Sequence, residues 1–345
     1  MNQNIYCKPR LLINDREISY CNQISLKQNG GNSLDKLSAR FSDPDLENIT
    51  LYNQKVEFYL NNGSEDSVPL FRGLIKEFNT TDKDMSISAL DARTLLTGEN
   101  AFPVVLDDND NYDGQTVIDF LIDIIDNKLN SDILSTKNMN TMDKPIFMTG
   151  LRTVGAPYDL CRERVNKKID EDDILAPLSY DLDILHDKDS SSIIVRKERS
   201  TDNTPDFTFN YHDGIQHLSY TDRGNPSFAI TQTENGSQVR FDYGSNPDGS
   251  LGIQTDIIAD SRGEAHEKLI PILISKQNAE KKIVINSSKG HYMSLGSIIR
   301  VEVPDNNVVG QYRLESKSID WNDTQLRCTL VLNRKPIRIS DYINM

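Results

Sequence analysis

Five histidines are the residues of this 345-residue chain best suited to bind a metal or move a proton near neutral pH: His186, His212, His217, His266 and His291. Their spacing does not assemble them. His212 and His217 are five positions apart, which puts them on opposite faces of a strand. His266-Glu267 is not followed by the second histidine that a zinc-binding helix needs. Cys7, Cys21, Cys161 and Cys328 include no Cys-x-x-Cys pair, so neither a zinc ribbon nor a thioredoxin motif is available. Cys161 and Cys328 fall on apolar faces and are expected to pack as small hydrophobes. The chain has no Gly-x-Ser-x-Gly elbow, no phosphate-binding Walker loop and no Gly-x-Gly-x-x-Gly unit. No catalytic residue, cofactor or metal is expected.

Carboxylates and amides come nearer to a binding motif. Asp107–Gly114 is an acidic loop in which Asn109, Asn111, Asp113 and Gly114 match the first half of a calcium-binding EF-hand loop. The twelfth position is Phe120, where a bidentate glutamate is required, and no helical pattern precedes the loop. The helix that follows is clear: Val117, Ile118, Leu121, Ile122, Ile125 and Leu129 recur at helical spacing. Asp119, Asp123 and Asp126 line its other side, where they are expected to face solvent or to meet a cation or a basic partner.

The whole chain has that sign. Its net charge is −14 and its isoelectric point about 4.9, so an extended grip on nucleic acid is not expected. Arg334, Lys335 and Arg338 form the one compact basic cluster, read as a solvated chain end. Met1–Arg10 lacks the apolar core of a secretory signal, and stretches such as Leu269–Ile274 are too short to span a bilayer. Synthesis in a reducing cytoplasm and no membrane segment are the expectations.

The elements that must position any site are mostly strands. Ile18, Tyr20, Ile24 and Leu26 share one parity; Leu37, Ala39 and Phe41 alternate with polar neighbours, as do Val56, Phe58 and Leu60, then Met85, Ile87 and Ala89. Asn14-Asp15, Ser42–Asp45 and Asn61–Gly63 are turn-forming, and Asp91 is placed to cap a turn over Ala92–Leu96. A second helix is expected from Pro157, with Tyr158, Cys161, Val165 and Ile169 as its stripe. His186–Ser190 reads as a hairpin turn between Tyr180–Leu185 and Ser192–Val195. After a polar stretch at Ser200–Pro205, strands return. They are interrupted by a helix opened by the capping box Ser261-Arg262-Gly263-Glu264 and broken at Pro271. The series closes with Ile298–Val303, Gln311–Ser316 and Gln325–Leu332. The fold class expected is α+β, predominantly β. Two strand-rich regions, 1–98 (an antiparallel barrel or sandwich) and 206–345 (with an inserted helix at about 256–280), flank a mixed α/β insert at 99–205.

Several fragments, in this order, resemble the baseplate hub family of phage tails and related contractile injection machines: Phe71-Arg72-Gly73-Leu74-Ile75, Ile87–Leu96 with Asp91, Met293-Ser294-Leu295-Gly296 before Ile298–Val301, and Gly310-Gln311-Tyr312-Arg313-Leu314. The resemblance covers nearly the whole chain and marks Gly73, Asp91, Gly296, Gly310 and Tyr312 as structural motif positions. It implies two similar barrels per subunit and a homotrimer that joins a sixfold tail tube protein to a threefold central spike protein within the baseplate, with DNA passing through unbound. Two other readings remain beside it. A carbohydrate-binding β-protein would use exposed aromatics, but Trp321 is the only tryptophan. A tail-associated cell-wall hydrolase would need a domain for which the hub parts leave no residues.

Overall fold

The computed structural model describes residues 8–29, 33–42, 51–61, 68–81, 84–97, 104–106, 112, 114–129, 131–139, 146–148, 153–162, 180–197, 204–210, 213, 215–221, 228–233, 236–242, 252–259, 263, 282–287, 289–304, 308–322 and 325–333. The chain divides into two compact units. The first comprises Met1–Lys168, Tyr180–Lys197 and Lys317–Cys328; the second comprises Ile169–Ser179, Glu198–Ser316 and Thr329–Met345.

The first unit is built on β1 (Lys8–Ile13), β2 (Arg16–Glu17), β3 (Cys21–Asn29), β4 (Lys36–Phe41), β5 (Lys55–Asn61), β6 (Phe71–Thr80) and β7 (Met85–Asp91), in the spatial order β3-β4-β7-β6-β5-β1-β2. Asn14 and Asp15 both take positive φ, as the tight turn between β1 and β2 demands. The expected alternation holds in β4 and β7. Leu37, Ala39, Phe41, Met85, Ile87 and Ala89 are buried, and their neighbours are half-buried or exposed. Tyr20 departs from the expected parity: it lies outside β3 at 71% exposure, and a register shift between Cys21 and Gln23 breaks the alternation there.

Short β8 (Val104–Leu106) and β9 (Thr153–Gly155) pair antiparallel. Helix α1 (Val117–Asp123) starts on Thr116, whose hydroxyl accepts from the Asp119 amide, and runs into a π-helical segment at Ile124–Lys128. The apolar stripe buries Val117, Ile118, Leu121 and Ile125 as its spacing predicts. Residues 157–162 are helical and bury Tyr158 and Cys161; Val165 and Ile169 lie outside the described residues. The hairpin β10 (Tyr180–His186) and β11 (Ser191–Lys197) turns at Asp187–Ser190, one residue shorter than the expected His186–Ser190 because His186 still pairs with Ser191, and there the Asp187 carboxylate accepts from the amides of Asp189 and Ser190.

In the second unit β12 (Phe207–Asn210), β13 (Ile215–Thr221), β17 (Lys282–Ser287), β18 (Ile298–Val303), β19 (Val308–Asn322) and β20 (Gln325–Asn333) follow the order β12-β18-β19-β20-β17-β13. A separate three-stranded sheet holds β14 (Phe228–Thr233), β15 (Gln238–Asp242) and β16 (Gly252–Ala259) in the order β15-β14-β16. The start of the expected inserted helix is therefore a strand: residues 256–259 lie in β16, where Ile258 and Ala259 pair with β14, in the β-branched-rich run Ile253–Ile258. The rest of that helix, apart from Gly263, lies outside the described residues, as does the Arg334–Arg338 cluster. The hairpin β19–β20 serves both units, since its outer part, Lys317–Cys328, belongs to the first, where Ser25 donates to Asp320 at 2.6 Å.

The protein is predominantly β, as expected. No sheet closes into a barrel among the described residues. The strands above, apart from β8–β11 and β14–β16, belong to one 13-stranded sheet whose open ends are β2, a strand of two residues, the four-residue β12, and β13.

Candidate functional site

Two buried ionic clusters mark the first unit. The tighter one grows from the end of β7. Asp91 is fully buried, caps the 3-10 turn Ala92–Leu95 by accepting from the Arg93 amide at 2.8 Å, and accepts again from the Asp35 amide. The Arg93 guanidinium, also fully buried, meets Asp91 through Nε (3.0 Å to Oδ1) and Nη2 (2.8 Å to Oδ2). It reaches Asp35 Oδ1 at 3.4 Å and the Ser33 carbonyl at 3.2 Å. Its Nη1 donates to the Tyr158 hydroxyl, which donates in turn to the Leu182 carbonyl at 2.8 Å. One arginine thus connects the sheet to the helical residues 157–162 and to β10.

The second cluster lies on β5 and β6. Arg72 donates through Nε to Glu57, whose other carboxylate oxygen accepts from Tyr59 at 3.1 Å. The two η nitrogens of Arg72 hold the carbonyls of Asp187 (3.2 Å) and Lys188 (2.9 Å) at the tip of the β10–β11 hairpin. A planar fork with fixed donors suits such a two-carbonyl grip.

Burial sets the electrostatics. Desolvation, and then the charge of Asp91, raises Asp35 to about 7. Burial pushes the Tyr158 hydroxyl up to about 12 and lowers His186 to about 4. His186 Nδ1 lies 2.8 Å from Ser191 Oγ, and its Nε2 is out of solvent without a hydrogen-bond partner among the described residues. Lys317 is 4% exposed and its pKa is lowered by burial, with Cys328 and Asp35 as its charge partners. Such groups answer one another across strands; their geometry holds elements in register.

The motif positions named from the sequence fall in two places. Gly73 lies on β6 opposite Asp91, and a Cβ there would come within 2.0 Å of the Leu90 carbonyl oxygen, so only glycine fits. Gly296 takes φ +79° in the turn before β18, where its amide donates to Leu314. Gly310 opens room for the Tyr312 ring, since a Cβ would meet the hydroxyl at 3.2 Å. Tyr312 is buried on β19 opposite Ile299. Gly73 and Asp91 therefore meet in the first unit, and Gly296, Gly310 and Tyr312 lie near one another along the β18–β19 ladder of the second. Sequence reasoning did not find Asp35, Glu57, Arg72, Arg93 or Tyr158. The signal that was present is Arg93 two residues beyond a capping aspartate.

The acidic positions of α1 hold no assembled metal site: Asp119 pairs with Thr116, Asp123 accepts from Tyr112 and Asn127, and Asp126 accepts from Thr136. Among the described residues no group of three or more potential metal ligands converges.

No family model and no curated protein matches the sequence. Solved structures do match. A tail protein from Neisseria meningitidis superposes with a TM-score of 0.65 at 10% identity, covering 96% of this chain and 98% of that one. The 43 kDa tail protein of prophage MuSo2 from Shewanella oneidensis gives 0.63 at 9% identity over 96% and 97%. A component of the type VI secretion system of E. coli, described as structurally similar to the T4 tail proteins gp27 and gp5, gives 0.56 at 10% identity over 95% and 78%. At such identities the likeness is one of fold. The fold is thus one shared with these two tail proteins and with this secretion-system component, as the sequence resemblance leads one to expect.

Proposed function

We propose that the chain is a structural subunit of a phage tail baseplate hub: a homotrimeric ring that joins the tail tube to the central spike and forms part of the DNA conduit. The observation that carries this reading is the fold likeness, which spans 96% of this chain and nearly all of two tail proteins. In this reading residues 1–98 and 206–345 supply the two barrel-type modules and 99–205 the insert between them. Gly73, Asp91, Gly296, Gly310 and Tyr312 are structural positions, and the chain carries no catalytic centre. Three subunits then offer six modules to a sixfold tube and a threefold face to the spike. The net charge of −14 suits a conduit wall that repels DNA. The location that follows is the virion tail, with synthesis in the host cytoplasm. No helix among the described residues is long and apolar enough to cross a membrane.

Mass determination in solution combined with particle imaging tests the proposal. A trimeric ring with a central hole, able to cap tubes of the tail tube protein, is the expected result. A chain that stays monomeric alone and in the presence of tube and spike proteins overturns it.

A further inference from the structure

The polar face of β3-β4-β7-β6 carries an arrangement that the isolated fold does not need. Lys27 and Lys36 stand directly opposite each other on β3 and β4, both exposed, and neither makes an ion pair among the described residues. Like charges facing each other across a ladder destabilise a sheet. Their row continues into Leu90 and Leu74, which face each other on β7 and β6 and remain half-buried on the polar side. The adjacent row is Ser25, Ser38 and Ser88, short side chains that leave a shallow cavity of about 410 Å³ across the four strands. Lys36 lines that cavity of mostly polar residues together with Arg40 and Glu77, so the lysine pair sits at the rim of an open face that acidic groups of a partner can approach.

The same unit exposes a ridge of the opposite sign. Asp119 and Asp126 lie seven residues apart on one side of α1 and its π-helical continuation, with Asp123 between them, and both are exposed. We infer that the Lys27–Lys36 sheet face of one subunit docks against the Asp119–Asp126 helix face of a second copy of this chain. The occupant follows from charge complementarity. Two different patches on one chain make a head-to-tail contact, the kind that closes into a ring. The inference rests on the homo-oligomer reading given above and adds the surfaces that meet.

The test is a set of charge variants followed by sedimentation velocity at low and high salt. K36E places an acid opposite Lys27, so the fold should become more heat-stable while self-association weakens by about tenfold or more. D119K/D126K should weaken association similarly. K27E/K36E/D119K/D126K, which exchanges the two signs within one chain, should restore it. Loss in the single-patch variants with recovery in the exchanged chain supports the contact. A wild-type trimer whose association and salt dependence are unchanged in all variants overturns the inference and leaves the hub reading standing. A wild-type dimer or filament that responds as described supports the contact and removes the trimer. A wild-type chain that remains monomeric at low salt overturns the inference.

Discussion

Arg93 holds Asp91 side-on, with Nε 3.0 Å from Oδ1 and Nη2 2.8 Å from Oδ2, and both side chains are shut away from solvent. Asp91 therefore acts twice, as the cap of the turn that carries Arg93 and as its counter-ion. Asp91→Ala leaves a guanidinium buried without its main partner and should cost roughly 3–5 kcal/mol in urea-induced unfolding. Asp91→Ala combined with Arg93→Met removes the stranded charge and should recover part of that loss. A double variant less stable than Asp91→Ala would contradict this account.

Gly73 is required for a different reason. Its backbone passes against the Leu90 carbonyl with no room for a Cβ, so Gly73→Ala should destabilise by about 1–3 kcal/mol through displacement of β6 from β7. Amide exchange in β6 and β7 would reveal the loosened ladder, with smaller changes in β13 and β17.

Arg72 fixes the tip of the β10–β11 hairpin by two carbonyl bonds from one fork. Arg72→Lys keeps the charge but offers no planar pair of donors, so amide protection across 180–197 should fall in this variant as well as in Arg72→Met. Protection retained in the lysine variant would mean that charge alone holds the hairpin.

Asp35 gives a pH dependence with a defined sign. Its folded pKa of about 7 exceeds the ordinary value of 3.8 because burial, and then Asp91, disfavour the carboxylate. The folded state thus binds the extra proton between these values. The associated stability is complete below the lower value and is lost as pH rises through the upper one. His186, lowered to about 4 by burial, works in the opposite sense: its contribution is present above 6.5 and is lost as pH falls through about 4. The two partly offset each other, so a comparison isolates the aspartate. Relative to wild type, Asp35→Asn should gain stability from pH 5 up to about pH 7 and level off above it, read as the shift in urea midpoint. A constant difference across that range would show that Asp35 does not titrate there.

Much of the secondary structure was legible because it is written in local patterns. The stripe Val117 to Leu129 predicts a helix, and Leu37, Ala39 and Phe41 predict a strand. Asp187 announces a turn, since its carboxylate bonds to amides two and three residues on. Asp91 was legible as a cap for the same reason. The rest of each cluster depends on register. Arg72 meets Glu57 fifteen positions away, and Arg93 meets Asp35 at a separation of 58. Read singly, each is a charged residue in a polar chain, and only the folded ladder shows that all four are buried. The stretch at 256–259 misled because a capping box a few residues later drew the helix boundary too early. The β-branched residues of β16 were the better signal.

The hairpin β19–β20 has a consequence for the making of the protein. Ser25 bonds Asp320, 295 positions later, and Lys317–Cys328 completes a unit whose other strands begin at Lys8. A ribosome must therefore finish at least the first 328 residues before that unit can close. Chains cut short by damage or premature release lack its final strands and present an unfinished sheet edge to proteases. Completeness of the polypeptide becomes a condition for a folded subunit, so a multi-subunit assembly would be protected from incorporating a fragment.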